Sequence, residues 1–301
     1  MHFKINTLIM KRKSIFLVVL VAFLGLSNAH AQINFGEKAL GAVQKGIAGL
    51  TFSDAQAAEL SKEAVDKMDA ENKIASPTDP YTIRLNKIFG KYTNAYGLKL
   101  NYKVYILKEV NAFATADGSV RVYTGLMDVM DDNELLVVIG HEIGHVVNHD
   151  SRDAIKAAYQ KEALIDGVAS QSGKLAAITD SQLGKIGSAM IDSKHSRKQE
   201  SEADLFAYDF MKSNGYNVNA VESAFSILAK LSEGTQTDFL TQMMSSHPDS
   251  KERAENARSR AEKEGLYKAY VHKMPVATPV KTTTKKTTTK KVTTKKTTTK
   301  K

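Results

Sequence analysis

The chain of 301 residues contains no cysteine. This absence excludes disulfide bonds, and it excludes a leader that ends in a lipid-accepting cysteine. Long apolar runs are also scarce, because the uninterrupted run from Ile15 to Leu26 spans twelve residues and no comparable run follows it. A membrane-spanning helix needs roughly 20 such residues. The sequence therefore predicts a protein stabilised by its packed interior, with no membrane span after its N-terminus.

The first 31 residues have the features of a secretion signal. Residues 11–13 are basic and precede the apolar run, and Ala29-His30-Ala31 after it has small residues at its first and third positions. We therefore expect the mature chain to begin near Gln32 and to reside in the periplasm, either free or associated with a membrane. Met10 begins an equally good signal, which leaves the start codon undecided.

The net charge of +9 comes from the two ends of the chain. Residues 281–301 contain nine lysines and residues 1–31 contain four basic residues, and neither segment has an acidic residue. The remaining residues, 32–280, have a net charge of −4. This acidic body gives no reason to expect nucleic-acid binding. The Lys/Thr tail at 281–301 has little to bury, so we expect it to be disordered behind a linker at 266–280. It is either a spacer or a segment that binds an anionic envelope surface.

The body combines helical and strand patterns, which predicts an α+β fold. We divide it into an N-terminal helical segment at residues 32–74 and one domain at residues 75–265. Ser53 and Gln56 form a capping box, and Asp79-Pro80 starts a second helix. Strands are predicted over residues 98–106 and on both sides of the Asp117-Gly118 turn, at 112–116 and 119–123. Further helices are predicted at residues 152–165, 198–213, 218–232, 236–244 and 250–264, and residues 166–196 form either a lid or a flexible helical insertion.

The most informative segment is His141-Glu142-Ile143-Gly144-His145. Two histidines four residues apart lie on one face of a helix, so their imidazoles can reach one metal ion. The glutamate beside the first histidine can take a proton from the attacking water. Apolar residues at 135–139 predict a buried helix, in which histidine and glutamate need partners that a metal ion supplies. The pattern therefore indicates a zinc hydrolase, and the alternative is a core helix with two hydrogen-bonded histidines.

Three further residues of this segment, two glycines and a histidine, lead to structural predictions. Gly140 and Gly144 each cost about 1 kcal/mol relative to alanine in a helix interior, so we expect another element to pass close to their face. His149 continues the histidine stripe, but a fourth protein ligand would close a catalytic site. We therefore favour a histidine at the negative end of the helix dipole.

A catalytic zinc needs about three protein ligands and one open position. Ser151 stands ten residues after His141, where a third histidine would complete one common ligand set, so we look further downstream. Glu200 is the candidate, and Asp204 lies on the same helical face, where it can accept a hydrogen bond from a ligand histidine. Glu202 is the rival ligand, but it points away from this face. The alternative for the whole segment is the charged first turn of an amphipathic helix.

Five stretches carry a resemblance to a known family. They are Asn111-Ala112-Phe113-Ala114, Val122-Tyr123-Thr124-Gly125-Leu126, residues 134–149, residues 197–204, and Ser246-His247-Pro248 with Arg253. Over roughly residues 75–262 the chain resembles the HtpX/CAAX-prenyl-protease class of zinc metallopeptidases, a gluzincin family. Since no apolar span follows the N-terminus, it is most similar to the soluble periplasmic branch.

The resemblance implies a helix-rich zincin domain with a small antiparallel-containing sheet, an active-site helix and one Zn²⁺ per chain. It implies His141, His145 and Glu200 as zinc ligands, Glu142 as the base, and Asp204 behind a ligand histidine.

The resemblance also implies roles around the metal. The segment of Asn111, Ala112, Phe113 and Ala114 would hold the substrate as an edge strand. His247 would be a latch over the metal or an oxyanion donor. Tyr208 is a further candidate donor, although a core tyrosine is the simpler interpretation, and Arg253 would support the His247 loop or face the substrate.

The predicted function is a secreted zinc endopeptidase that cleaves unfolded or misassembled envelope proteins in protein quality control. Its partners would be polypeptide substrates, and its specificity would be broad because backbone pairing reads no side chains. The alternative is an envelope chaperone or adaptor that binds client proteins with little proteolysis, with a mainly structural zinc.

Overall fold

The computed structural model describes residues 53–165, 178–234 and 246–274. The predicted signal, the helix expected at 236–244 and the Lys/Thr tail lie outside the described residues. Among the residues that are described, no helix is both long enough and apolar enough to cross a membrane.

Helices dominate the described residues and short strands accompany them, which confirms the expected α+β class. The α-helices are α1 (Asp54–Glu71), α2 (Pro80–Phe89), α3 (Thr124–Val129), α4 (Asp132–Val147), α5 (Asp150–Ile165), α6 (Asp180–Ile191), α7 (Arg197–Ser213), α8 (Ala220–Gly234) and α9 (Ser250–Lys263). The predicted capping box of Ser53 and Gln56 starts α1, and the predicted Pro80 occupies the first turn of α2. Within the stretch whose structure was left open, residues 180–191 form the regular helix α6.

Two small sheets are present in the described part of the chain. Their strands are β1 (Asn94–Ala95), β2 (Leu98–Lys99), β3 (Asn101–Tyr105), β4 (Ala112–Ala114) and β5 (Ser119–Tyr123). Strands β1 and β2 form a hairpin, and the second sheet has the order β3-β5-β4, with β5 parallel to β3 and antiparallel to β4. The predicted strand at 98–106 is divided at Leu100, because β2 pairs back with β1 whereas β3 pairs with β5.

The predicted hairpin joins β4 to β5, with Gly118 at its turn. Gly118 has a φ of +86°, and a Cβ at this position would lie 2.3 Å from the backbone oxygen of Lys99. Glycine is therefore required here both by the left-handed backbone and by the close approach of the chain. The hairpin leaves β4 at one edge of the sheet, and β4 packs beside α4.

Helix α4 runs through the hydrophobic core, and its residues from 134 to 146 are all buried. The carboxylate of Asp131 accepts two backbone N–H groups of the first turn, and Glu134 accepts the N–H of Asp131 at 2.8 Å. This capping box satisfies donors that a buried helix end would otherwise leave unpaired. The helix is thus fixed at its start, nearly three turns before the His141–His145 segment.

The chain after α9 returns to the start of α4. The Tyr270 hydroxyl donates to Asp131 at 2.9 Å, and His272 Nδ1 lies 2.7 Å from Glu134 Oε2. Residues 266–274, which begin the predicted linker, therefore include side chains that contact the start of α4.

Helix α7 passes close to the two glycines of α4. A close neighbouring element was predicted because glycine destabilises a helix interior. A Cβ at Gly144 would lie 3.1 Å from the Cα of Ala203 and 3.2 Å from its backbone oxygen. A Cβ at Gly140 would lie 3.3 Å from the ring of Phe210. Because these distances are shorter than ordinary carbon contacts, a side chain at either position would require neighbouring atoms of α7 to shift.

A buried ionic cluster joins α1 to the sheet. The Arg121 guanidinium donates to both oxygens of Asp69, from Nε at 2.8 Å and from Nη2 at 2.9 Å, and Arg121 is 2% exposed. Lys103 and the Tyr105 hydroxyl donate to the same carboxylate at 2.7 Å. Burial works to raise the pKa of Asp69, but these three donors outweigh it and lower the pKa to about 2.

We expect Asp69→Asn to lower the free energy of unfolding at pH 7 by about 2 kcal/mol, because buried donors lose a charged acceptor. Since the folded-state pKa lies below the ordinary value of 3.8, the contribution is fully present above pH 4 and is lost as pH falls toward 2. Urea unfolding in EDTA at several pH values measures both effects. Asp66→Asn on the exposed face of α1 is the control and should change little; equal losses in both variants would contradict the role of the cluster.

Candidate metal centre and active site

Helix α4 carries His141, Glu142 and His145 on buried positions near its C-terminal end. The two imidazole Nε2 atoms lie 3.1 Å apart, one helical turn after the other. Their lone-pair nitrogens therefore converge on one point, as the four-residue spacing predicted.

Helix α7 brings Glu200 to the same point. Ser196 caps this helix, and Glu200 follows in its first turn with 4% exposure. Glu200 Oε1 lies 3.4 Å from His145 Nε2, and Oε2 lies 3.5 Å from His141 Nε2. The rival Glu202 is exposed and pairs with Lys198 at 3.6 Å, so the structure does not bring it to the histidines.

His247 joins this cluster from the loop before α9. Its Nδ1 lies 3.2 Å from His141 Nε2 and 2.9 Å from Glu200 Oε1, and its Nε2 lies 3.6 Å from Glu142 Oε1. The ring is 8% exposed, which places it inside the site rather than on the surface.

Asp204 and Arg253 lie behind the cluster. Asp204 Oδ1 lies 2.9 Å from His141 Nδ1, the nitrogen that faces away from His145. The Arg253 guanidinium donates to both oxygens of Asp204, at 2.9 Å from Nε and 2.6 Å from Nη2, and its Nη1 lies 2.8 Å from Glu200 Oε2. It also stacks 4.1 Å above the ring of Phe225. Arg253 therefore supports Glu200 and Asp204 from behind, and among its described contacts none is with the β4 edge.

The surroundings favour a neutral His141, an ionised Glu200 and a protonated His145 in the absence of a metal ion. Burial and the charge of Arg253 lower the pKa of His141 to about 3. Burial works to raise the pKa of Glu200, but hydrogen bonds with His145 and His247 hold it far below its usual range. Burial lowers the pKa of His145, but its bonds with Asp150 and Glu200 outweigh this and raise it to about 9. Burial raises the pKa of Glu142.

The residues present fit a divalent cation. His141, His145, Glu200 and His247 each offer one ligand atom, these atoms lie within 4.8 Å of one another, and all four residues are buried. Imidazole and carboxylate form the donor set that zinc prefers. In addition, Glu142 Oε1 is buried without a hydrogen-bond partner among the described residues, as expected of a group whose partner is a reacting molecule.

Comparison with known proteins gives the family. The sequence profile of Peptidase family M48 matches residues 82–261, which is more than half of the chain. The chain belongs to peptidase family M48. It is thus a metalloendopeptidase, as the sequence analysis predicted, and its substrates are polypeptides.

Individual relatives agree with this assignment. The chain is 40% identical to the metalloprotease LoiP of Escherichia coli, over 72% of this chain and 84% of that protein. It is 42% identical to the metalloprotease YcaL of the same organism, over 70% of this chain and 82% of that protein. A putative beta-barrel assembly-enhancing protease of Vibrio cholerae is 27% identical over 56% of this chain and 36% of that protein.

The M48 site opens onto a small cavity beside strand β4. The cavity measures about 30 Å³ and is lined by Asn111, Ala112, Phe113, Ala114, Thr115, Glu142, His145, Ser151, Ala154, Met190, Ile191, His195, Ser246 and His247. The four residues expected to hold substrate, 111–114, form one wall, but all four are buried. A volume of this size holds about two water molecules, so the groove is closed in this structure.

Two candidates from the sequence lie away from the M48 centre. His149 follows the end of α4 with a φ of +66°, and its side chain is 54% exposed, which agrees with a histidine at the end of a helix. The Tyr208 hydroxyl donates to Glu264 at 3.2 Å, and Arg260 covers its ring. Neither residue is among the groups that converge on one point.

Two residues that contact His145, and a third that contacts one of them, were not predicted from the sequence. The ring of His195 stacks on it at 3.9 Å, Asp150 lies 2.9 Å from its Nδ1, and Gln199 donates to Asp150 at 2.8 Å. No periodicity marks Asp150, because a left-handed residue separates it from α4. The available signal was position, since His195 and Gln199 precede Glu200 by five residues and by one residue in the sequence.

We expect Arg253→Met to lower the free energy of unfolding in EDTA by about 3–5 kcal/mol, because two buried carboxylates lose their counter-charge. Urea unfolding of the metal-free protein measures this change. Arg258→Met on the same helix is the control, since Arg258 is half exposed and pairs with glutamates at the surface. Similar losses in the two variants would show that Arg253 contributes only general packing.

Proposed function

We propose that this M48 metalloendopeptidase is a zinc enzyme whose ion is held by His141, His145 and Glu200. The observation that supports this proposal is the convergence of three buried side chains from two separate helices, with ligand atoms within 4.8 Å. Asp204 would fix the ring of His141, and Arg253 would hold Asp204 and Glu200 in place. A bound zinc ion would polarise the substrate carbonyl and acidify a water molecule.

Glu142 is the group that moves the proton. Its raised pKa and its free buried oxygen suit a carboxylate that first accepts a proton from water and then donates it to the leaving nitrogen. The burial of this carboxylate also keeps bulk water from competing for the proton.

His247 occupies the space beside Glu142 and the ligand histidines. With its Nε2 3.6 Å from Glu142 Oε1, it lies where a substrate carbonyl would have to react. We infer that His247 latches the site in this conformation and moves aside when substrate enters. After this movement its N–H would be within reach of the developing oxyanion. One such hydrogen-bond donor contributes substantially to stabilising the transition state.

Strand β4 would bind the substrate as an additional strand. It is an edge strand that faces Glu142 and His145 across the cavity, so a peptide paired with residues 111–114 would pass over the base. The cavity of about 30 Å³ means that its walls, including Met190 and Ile191 of α6, must separate first. Since pairing uses backbone atoms, the substrates would be unfolded segments of varied sequence.

The compartment and the biological role are part of the same proposal. The secretion signal expected at residues 1–31 supports a periplasmic location. Similarity to a putative beta-barrel assembly-enhancing protease supports quality control of envelope proteins. The Lys/Thr tail would add attraction to an anionic envelope surface.

A chaperone or adaptor that binds client proteins with little proteolysis is the second candidate. The small volume beside Glu142 in this structure agrees with low cleavage activity.

We expect Glu142→Gln to reduce cleavage of unfolded β-casein by at least about 100-fold, because the variant retains the shape of the site but loses the proton acceptor. Mass spectrometry of the products measures cleavage, and metal analysis should give an unchanged zinc content. In cells, a Glu142→Gln variant that fully replaces the wild type would favour the chaperone role.

We expect Glu200→Gln to lower the zinc content of the purified protein well below one ion per chain, because an amide is a poor replacement for a carboxylate ligand. Metal analysis after dialysis against a weak chelator measures the content. Glu202→Gln is the matched control on the exposed side of α7 and should retain the wild-type content. Retention of zinc by Glu200→Gln would reject this residue as the third ligand.

A further inference from the structure

His145 has a carboxylate partner of its own on the side away from His141. Its Nδ1 lies 2.9 Å from Asp150 Oδ2, and Asp150 is 6% exposed. We propose that Asp150 and Gln199 form a positioning pair that fixes the orientation and the tautomer of His145. The inference rests on the proposed function, because it concerns a ligand of the proposed metal.

The backbone explains how Asp150 reaches this position. Residues 145 and 150 are five apart, and on a continuous helix they would not share a face. His149 adopts a φ of +66°, which ends α4, and Asp150 then begins α5. The turn between the two helices thus directs the first side chain of α5 back toward the last ligand of α4.

Gln199 holds the second oxygen of Asp150. Its Nε2 donates to Asp150 Oδ1 at 2.8 Å, while its Oε1 accepts the backbone N–H of Ser196 at 2.9 Å. The capping box at the start of α7 therefore determines which end of the amide faces Asp150. Because Glu200 follows directly in sequence, the same turn of α7 supplies one ligand and orients another.

This arrangement selects one tautomer of His145. Asp150 accepts a hydrogen bond from Nδ1–H, which leaves Nε2, the nitrogen on the side of His141 and Glu200, as the atom that can offer a lone pair to a metal ion. The ring of His195 stacks on His145 at 3.9 Å with an interplanar angle of 14°, which restricts rotation of the ring plane. His141 is held in the same way by Asp204, so each ligand histidine of α4 has its own carboxylate.

The Gln199→Glu substitution tests the pair without removing the cap. Glutamate is equally suited to the capping box, but it cannot donate to Asp150 and it places two carboxylates against each other. Asp150→Asn is the second variant, since an amide cannot accept from both His145 and Gln199 in the same geometry. Gln56→Glu is the matched control, because Gln56 forms the same capping box with Ser53 at the start of α1.

The readouts are the zinc dissociation constant, from competition with a chromogenic chelator, and the visible absorption spectrum of the Co²⁺-substituted protein. We expect Gln199→Glu and Asp150→Asn to weaken zinc binding about 10–100-fold and to change the Co²⁺ spectrum, as loss of a hydrogen-bonded carboxylate behind a ligand does. Gln56→Glu should match the wild type in both.

The outcomes separate this inference from the proposed function. Wild-type protein that binds no zinc would reject the proposed metal centre itself. Wild-type zinc binding together with variant affinities within twofold and unchanged Co²⁺ spectra would overturn the positioning role alone. If circular dichroism shows that Asp150→Asn does not fold, Gln199→Glu decides, because it leaves Asp150 in place.

Discussion

The close contact between α4 and α7 is the constraint on which the rest of the site depends. Gly144 lies between the two histidines of α4, and it faces Ala203, which lies between Glu200 and Asp204 on α7. Because no large side chain keeps the two helices apart at this point, the histidines of α4 can reach the glutamate of α7. A larger residue at either position would force atoms of the facing helix to shift by a few tenths of an ångström, which would change the distances between Glu200 and the histidines.

The site also concentrates negative charge in a buried region. Four carboxylates lie close together here, those of Glu142, Glu200, Asp150 and Asp204. Among the described residues near them, the one buried guanidinium is that of Arg253. Such an excess is costly inside a protein unless a cation compensates it. The two ligand candidates on α4 respond differently to this balance. Burial and the charge of Arg253 lower the pKa of His141, whereas the hydrogen bonds of His145 with Asp150 and Glu200 outweigh its burial and raise its pKa.

The local parts of this molecule were predictable, and the long-range parts were not. Helix starts with capping boxes, the Asp117-Gly118 hairpin and the face shared by His141 and His145 depend on neighbours within a few residues, so the sequence contains their signals. Glu200 was proposed as a ligand because a catalytic zinc needs about three protein ligands, and its spacing from the histidines contained no such signal. Asp150 depends on a left-handed turn, and the parallel pairing of β3 with β5 depends on contacts between distant segments, for which spacing alone contains no signal.

The return of the chain to the start of α4 has a mechanical consequence. Tyr270 and His272 bind the first turn of the helix, whereas His141 lies ten residues further along it, a distance of about 15 Å. A pull applied through residues 270–274 would therefore act on the helix cap at Asp131 and Glu134, at the opposite end of α4 from His141, and not on the residues around the cavity.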